Sequence, residues 1–304
     1  MISRVAIAAA ALCIATGAAA ATGPQWNAVA EALGKQGTVQ PDGVYRVSFP
    51  RSDLHATLDG VPLKAGFALG GWVAFAPEPR GAMMMGDLVL TQQEVMPVMR
   101  SMEGSGLEIT ALHNHLLRAE PMTLYMHVEG HGDPVKLAQA VHAALALSHT
   151  PLGAAPPPAA SGDLGIDMAT IDRTLGAKGK VNGGVLQYSF PRKEAIRDGG
   201  MTVPASLGTG IGINFQPTGG GKAAITGDFV LTAAEVTPVT KALLANGIEV
   251  TALHSHMVHE QPRLFFMHFW ANDDAEKLAR GLKAALDKCN RGSGAHAASS
   301  HSHS

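Results

Sequence analysis

The sequence predicts an α+β protein of two tandem homologous domains, each a largely antiparallel sheet with helices arranged in ferredoxin-like split βαβ elements. Three observations carry that expectation. First, the same segments occur twice at an offset of 141 residues: VYRVSFPR (44–51) with VLQYSFPR (185–192), GDLVLTQQEVMPV (86–98) with GDFVLTAAEVTPV (227–239), and GLEITALHNH (106–115) with GIEVTALHSH (247–256). Second, each copy runs from alternating apolar residues punctuated by glycine, through a stretch of helical spacing, to two further strands and a last helix. Third, the stretch between the copies, SHTPLGAAPPPAASGD (148–163), is made of prolines and small residues that sustain neither helix nor ladder. The domains are therefore placed at 23–148 and 166–290, with a linker at 149–165 and a His/Ser-rich tail at 291–304. Each unit is about 125 residues, close to the commonest domain size.

The elements follow in chain order. Residues 1–22, MISRVAIAAAALCIATGAAAAT, join one arginine to an apolar run and end in small residues, the pattern of a secretory signal peptide. The run is shorter than the roughly 20 residues a spanning helix needs. Cys13 lies inside it, so cleavage leaves Cys289 as the one thiol and no intramolecular disulfide; Cys289 is expected to be an incidental exposed thiol. A helix is expected from Trp26 to Leu33, then β-rich sequence from Val44 to Leu90. Thr91 with Glu94, repeated as Thr232 with Glu235, forms a Thr-x-x-Glu capping box and starts a helix after each GD strand. Pro97 and Pro238 follow a few residues later, and either kink that helix or push its start downstream. The strand LEITALHNH, a short turn with Pro121 and the strand MTLYMHV come next. Each last helix, DPVKLAQAVHAAL or DDAEKLARGLKAAL, is preceded by an aspartate suited to its N-cap.

Composition narrows the function. With 46% hydrophobic and 16% charged residues the chain is rich enough in apolar groups to build cores, and a net charge of −2 offers no basic face for nucleic acid. No segment after the N-terminal run is long enough to span a membrane. There is no Gly-x-Ser-x-Gly elbow for nucleophilic catalysis, and GTGIGINF is flanked by β-like sequence rather than opening a helix, so no dinucleotide fingerprint is present. Enzymatic activity stays open.

The histidines are the best lead. His113 and His115 are two apart on a strand and so face the same way. If the hairpin pairs residue 113 with 127, His127 joins them, and the same holds for His254, His256 and His268. Three imidazoles converging from neighbouring strands are a ligand set for Zn²⁺ or Cu²⁺ with a position left open. The alternative is a half-buried histidine satisfied by a backbone carbonyl. Recurrence favours ligands, because Asn114/Ser255, Leu116/Met257, Arg118/His259 and Glu120/Gln261 all differ between the copies while the histidines do not. Asp87 and Asp228, which end the GD pairs, are the acidic partners, as fourth ligand or as acceptor orienting an imidazole; a turn or strand-end role is the other reading. Glu94 and Glu235 are better explained as caps than as general acids or bases. Met96, Met99 and Met102 stand at helical spacing and read as core filler, as does the Met83–Met85 run, rather than as soft copper ligands. Met126 and Met267, next to a site histidine, point the other way, into the core. His296, His301 and His303 in the tail are a softer metal signal.

The segment GDFVLTAAEVTPVTKALLANGIEVTALHSHMVHEQPRLFFMHFWA resembles the LppY/LpqO family of bacterial exported proteins, and the likeness extends over nearly all of the chain after residue 22. The resemblance implies a tandem domain of unknown function and a bacterial envelope location, periplasmic or secreted; it implies no reaction. It departs at the lipobox: Cys13 is preceded by Leu12 within the apolar run, so lipid anchoring is not expected. The expected function is a periplasmic zinc- or copper-binding protein with a His-x-His plus His site in each repeat. A metal-dependent envelope hydrolase and a module binding a small envelope ligand against the histidines and Trp72 or Trp270 are the alternatives. Whether the repeats form separate sites or a joint one is left open.

Overall fold

A computed structural model describes residues 26–153 and 163–293. The expected signal peptide, most of the linker and the tail histidines lie outside the described residues. The first domain runs α1 (Trp26–Leu33), β1 (Thr38–Val39), β2 (Tyr45–Pro50), β3 (Thr57–Leu58), β4 (Val61–Pro62), α2 (Ala65–Ala68), β5 (Gly70–Glu78), β6 (Gly81–Thr91), α3 (Gln92–Gly104), β7 (Glu108–His113), β8 (Thr123–Gly132) and α4 (Pro134–Leu145). The second runs α5 (Met168–Leu175), β9 (Lys180–Asn182), β10 (Val185–Phe190), β11 (Arg197–Asp198), β12 (Met201–Thr202), a 3-10 turn (Ala205–Leu207), β13 (Ile211–Gly219), β14 (Lys222–Leu231), α6 (Ala233–Ala245), β15 (Glu249–His254), β16 (Phe265–Asp274) and α7 (Ala275–Leu286).

Each domain is an antiparallel six-stranded sheet, ordered β1-β2-β5-β6-β8-β7 in the first and β15-β16-β14-β13-β10-β9 in the second. Strands β6 and β7 are linked through α3 and flank β8, to which both are antiparallel, which is the expected split βαβ arrangement. Local sequence explains the helix starts. Both capping boxes form, and Asp133 and Asp274 accept from the first free backbone N–H groups of α4 and α7. Pro97 and Pro238 lie inside their helices and do not delay the start, because the capping box fixes it upstream.

Alternation along β6 sets the layers. Ala82, Met84, Leu88 and Leu90 face α1, α3 and α4 in the first core, while Met83 and Met85, pointing the opposite way, join the core of the second domain. The two sheets therefore meet face to face, with the helices outside. Met126 and Met267 are fully buried in the helix-side cores, as their position next to a same-face histidine requires. Of the three methionines at helical spacing, Met102 is buried and Met99 packs against the core, but Met96 is 49% exposed and is not core filler. Cys289 is not exposed either: it packs against the second core, and burial pushes its thiol up to about 12.

Each domain lays an arm across the other sheet. The amide of Gln216 accepts from the Lys64 N–H at 2.8 Å and donates to the Pro62 carbonyl at 2.7 Å, while Asn214 and Gln187 donate to the carbonyls of Phe67 and Gly66. In return, Arg46 Nη1 donates to the Ser206 carbonyl at 2.8 Å, and the Ser206 N–H donates to Asp42. Under the first arm Leu58, Phe67, Val89 and Tyr125 share one apolar cluster with Ala224 and Trp270. Trp270 is 4% exposed and donates its indole N–H to Asp59, so it is a structural residue of the interface and does not face a ligand.

A histidine cluster between the sheets

The hairpin register differs from the expected one. His113 pairs with Tyr125, and His127 pairs with Ala111, beyond a bulge at Thr110; His254 pairs with Phe266 and His268 with Ala252 in the same way. The connection is longer than a short turn, because Glu120 exchanges both backbone hydrogen bonds with Thr57 and is drawn away to the ribbon. Strand β7 therefore stops at His113, and His115 stands beyond its end. The slip is two residues, an even number, so His113 and His127 still share a face, and His115 joins them from beyond the strand end, 5.2 Å from the His113 ring.

Because the sheets meet on those faces, all six histidines converge on one place. The rings of His113 and His254 stack at 3.5 Å between centroids, His115 stacks on His268 at 3.7 Å, and His127 on His256 at 3.6 Å. Each of these pairs joins one repeat to the other. Tyr125 covers His115 at 3.3 Å and Phe266 covers His256 at 3.5 Å. Neither aromatic is evident from the histidines alone, but both stand two residues before His127 or His268, on the same strand face, in both copies.

Asp87 and Asp228 join the cluster. Both lie in mid-strand, directly across from His127 and His268, so the turn or strand-end reading is wrong. An Asp87 oxygen lies 3.7 Å from His127 Nε2 and another 4.0 Å from His115 Nε2; Asp228 lies 4.0 Å from His256 Nε2. The glycine before Asp228 is required by close packing: a Cβ on Gly227 would come 2.0 Å from the Gly212 carbonyl oxygen. That same residue orients an imidazole of the cluster, since its carbonyl accepts from His268 Nδ1 at 2.8 Å.

The electrostatics suit a cation. His113 Nδ1 faces the Asn114 carbonyl at 3.1 Å and His254 Nδ1 the Ser255 carbonyl at 3.4 Å. A carbonyl only accepts, so these nitrogens and His268 Nδ1 carry the proton, leaving Nε2 with a free lone pair. In all six rings Nε2 is buried and has no hydrogen-bond partner. Burial holds the imidazoles neutral, lowering His113 to about 4 and His254 to about 3 and the other four well below the usual range. Burial also pushes the Asp87 carboxyl up to about 7, against the pull of Arg46, and holds Asp228 well above the usual carboxylate range, with the Asp87 charge adding to the effect. Unpartnered lone pairs and destabilised carboxylates at one spot are costly without a positive charge among them. Three overlapping sets have donor atoms within 4.8 Å of one another: His113, His115 and His127; His113, His254 and His256; and Asp228, His256 and His268.

Glu94 and Glu235 are elsewhere and otherwise engaged. Arg51, 1% exposed, donates to both Glu94 oxygens at 2.8 and 3.2 Å, and Arg192 binds Glu235 at the equivalent place. These arginines, the last residues of the two FPR segments, are structural partners that the sequence reading did not single out.

A cleft of about 850 Å³ opens onto the cluster, lined by His115, His127, His256 and His268 and, farther out, by Arg46, Trp72 and Asn214. Fold and site together define a class: a duplicated α+β protein whose two sheets close on a shared histidine cluster. The chain belongs to the family described as Domain of Unknown Function (DUF1259), whose model matches residues 27–147 and again 169–288. No curated protein matches it. Among solved structures it is similar to the trimeric bacterial microcompartment shell protein PduB, at 13% identity, 82% of this chain, 88% of that chain and a TM-score of 0.20. EtuB from Clostridium kluyveri gives 11% identity, 83% and 88% coverage and a TM-score of 0.23. Scores this low do not define a shared fold. Among the described residues no helix is long and apolar enough to cross a membrane.

Proposed function

We propose that the protein binds a transition metal, zinc or copper, at one joint centre built from both repeats, and that it does so in the bacterial envelope. The observation that carries this reading is the set of six buried Nε2 atoms without partners, converging beside the buried Asp87 and the half-buried Asp228 carboxylates. Neutral imidazole is a ligand for both metals, and carboxylate is a common fourth donor to zinc. The resemblance to the LppY/LpqO family and the N-terminal signal-like segment support the envelope location. The cleft supports a second reading, a metal-dependent hydrolase, because it gives a small molecule access to the ion's open position.

The test is elemental analysis of purified chain lacking residues 294–304, after exposure to zinc or copper and extensive dialysis. At least one ion per chain is expected, removable by chelator and absent from a His113→Ala, His254→Ala double variant. Less than one ion per chain, or full retention by that variant, would refute the joint centre. Hydrolysis of envelope esters or amides that disappears with the metal would move the reading from binding to catalysis.

A further inference from the structure

The metal donors are the same in both repeats, but the wall of the cleft is not. In the register of the sheets Arg46, Ser48, Trp72 and Asp87 of the first domain correspond to Gln187, Ser189, Gly212 and Asp228 of the second. One side of the cleft thus carries a guanidinium over an indole, 3.8 Å from the Trp72 ring centroid, where the other side carries an amide and a glycine. Gln187 is occupied with the Gly66 carbonyl. Arg46 has five N–H donors, and among the described residues its one hydrogen bond is to the Ser206 carbonyl. The stacked indole holds the planar group in place, so the remaining donors are pre-set toward the cleft.

Neutralising Asp87 does not account for Arg46. Asp228 has the corresponding place in the second sheet, where Gln187 stands at the position of Arg46, so that carboxylate is held with no cation at the matching position. Lys64, also on the wall of the cleft, adds a second positive charge.

We infer that Arg46, stacked on Trp72, is the oxyanion-binding subsite of this cleft, and that the cleft takes a small organic molecule bearing a carboxylate or phosphate, oriented with its other end toward the histidine cluster. A planar fork of donors suits either group, and a volume of about 850 Å³ is that of a small-molecule pocket rather than of a lone ion. The assignment rests on the metal reading for what lies at the far end of the ligand, but Arg46 is tested separately.

The experiment is calorimetric titration of the full chain, with and without zinc, using malonate and inorganic phosphate as the two probes. Arg46→Gln installs the residue that the second repeat already uses at this place, and Arg46→Lys keeps the charge without the fork. Binding of at least one probe to the wild-type chain is expected, roughly tenfold or more weaker in Arg46→Gln, intermediate in Arg46→Lys, with the bound zinc unchanged. Which probe binds tells a carboxylate ligand from a phosphate one. No binding of either probe, or equal binding by Arg46→Gln, overturns the subsite. Reduced zinc in Arg46→Gln with unchanged probe binding overturns it in favour of a counter-ion for Asp87. Absence of zinc from the wild type would refute the metal centre instead, and the Arg46 dependence would still be read in the zinc-free titrations.

Discussion

Replacing Glu94 by glutamine removes a buried charge while keeping its size, and the structure gives the cost. Burial favours the acid form of Glu94, but Arg51 and the backbone N–H groups of His149 and Thr91 outweigh it and hold the carboxyl at about 2. Against the usual value of 4.5 this difference amounts to about 3 kcal/mol of stability at neutral pH. Because the folded-state value is depressed, that stability is complete above about pH 4.5 and is lost as pH falls toward 2. Glu94→Gln leaves the 1%-exposed Arg51 with the partly exposed Asp53 as its remaining counter-ion, so the full amount is expected to be lost at pH 7. At roughly 2 to 4 °C per kcal/mol for a chain of this class, Tm should fall by roughly 6 to 12 °C. Thermal unfolding followed by circular dichroism between pH 7 and pH 2.5 checks both the size and the shape of the effect. The gap between wild type and variant should be constant down to about pH 4.5 and then close. A gap that persists unchanged at pH 2.5, or a Tm within about 2 °C of wild type at pH 7, would refute the reasoning.

The joint centre predicts that His254→Ala, in the second repeat, lowers metal affinity by at least roughly 100-fold, more than the loss of a residue that only orients a ligand costs, although His113, His115 and His127 are intact; competition with a chromogenic chelator measures it. Gly227→Ala places a methyl 2.0 Å from the Gly212 carbonyl and should lower stability by about 3 kcal/mol or prevent soluble expression, read by urea unfolding. Gln216→Ala strips partners from the Lys64 N–H and the Pro62 carbonyl and is expected to cost about 1 to 3 kcal/mol and to make the arm at residues 56–69 a site of faster hydrogen exchange. Arg118→Ala, by contrast, breaks an exposed bridge to Asp59 and Glu249, and its Tm should match wild type.

What the sequence made legible is local, or repeated. The α1 helix, the capping boxes at Thr91 and Thr232 and the N-caps at Asp133 and Asp274 depend on residues within one turn of each other, and they form as the local pattern requires. The hairpin register was not legible. It depends on Glu120 bonding to Thr57, which is far away in sequence. His113 and His127 nonetheless share a face, because period-2 alternation survives a slip of two residues. Arg46 went unremarked, and Trp72 entered only as one of two tryptophans that a ligand could meet, for a related reason: they are positions where the copies differ, and a search for what recurs passes over what one copy alone has kept.

The duplication makes the site rather than doubling it. A single repeat would present three imidazoles and a carboxylate on a sheet face, with no ring partner for His113 closer than 5.0 Å and no facing sheet over Asp87. The second copy supplies those partners, since the closest stacking contacts among the histidines, at 3.5 to 3.7 Å, all cross from one repeat to the other. Two identical chains meeting in this way would be held to a symmetric cleft. Fusing them into one chain removes that restriction, so Arg46 and Trp72 occupy one wall while Gln187 and Gly212 occupy the other, and the same donor set faces a cleft with a distinguishable positive side. A ligand entering it meets the cluster in one orientation, and a symmetric dimer of single repeats would offer it two.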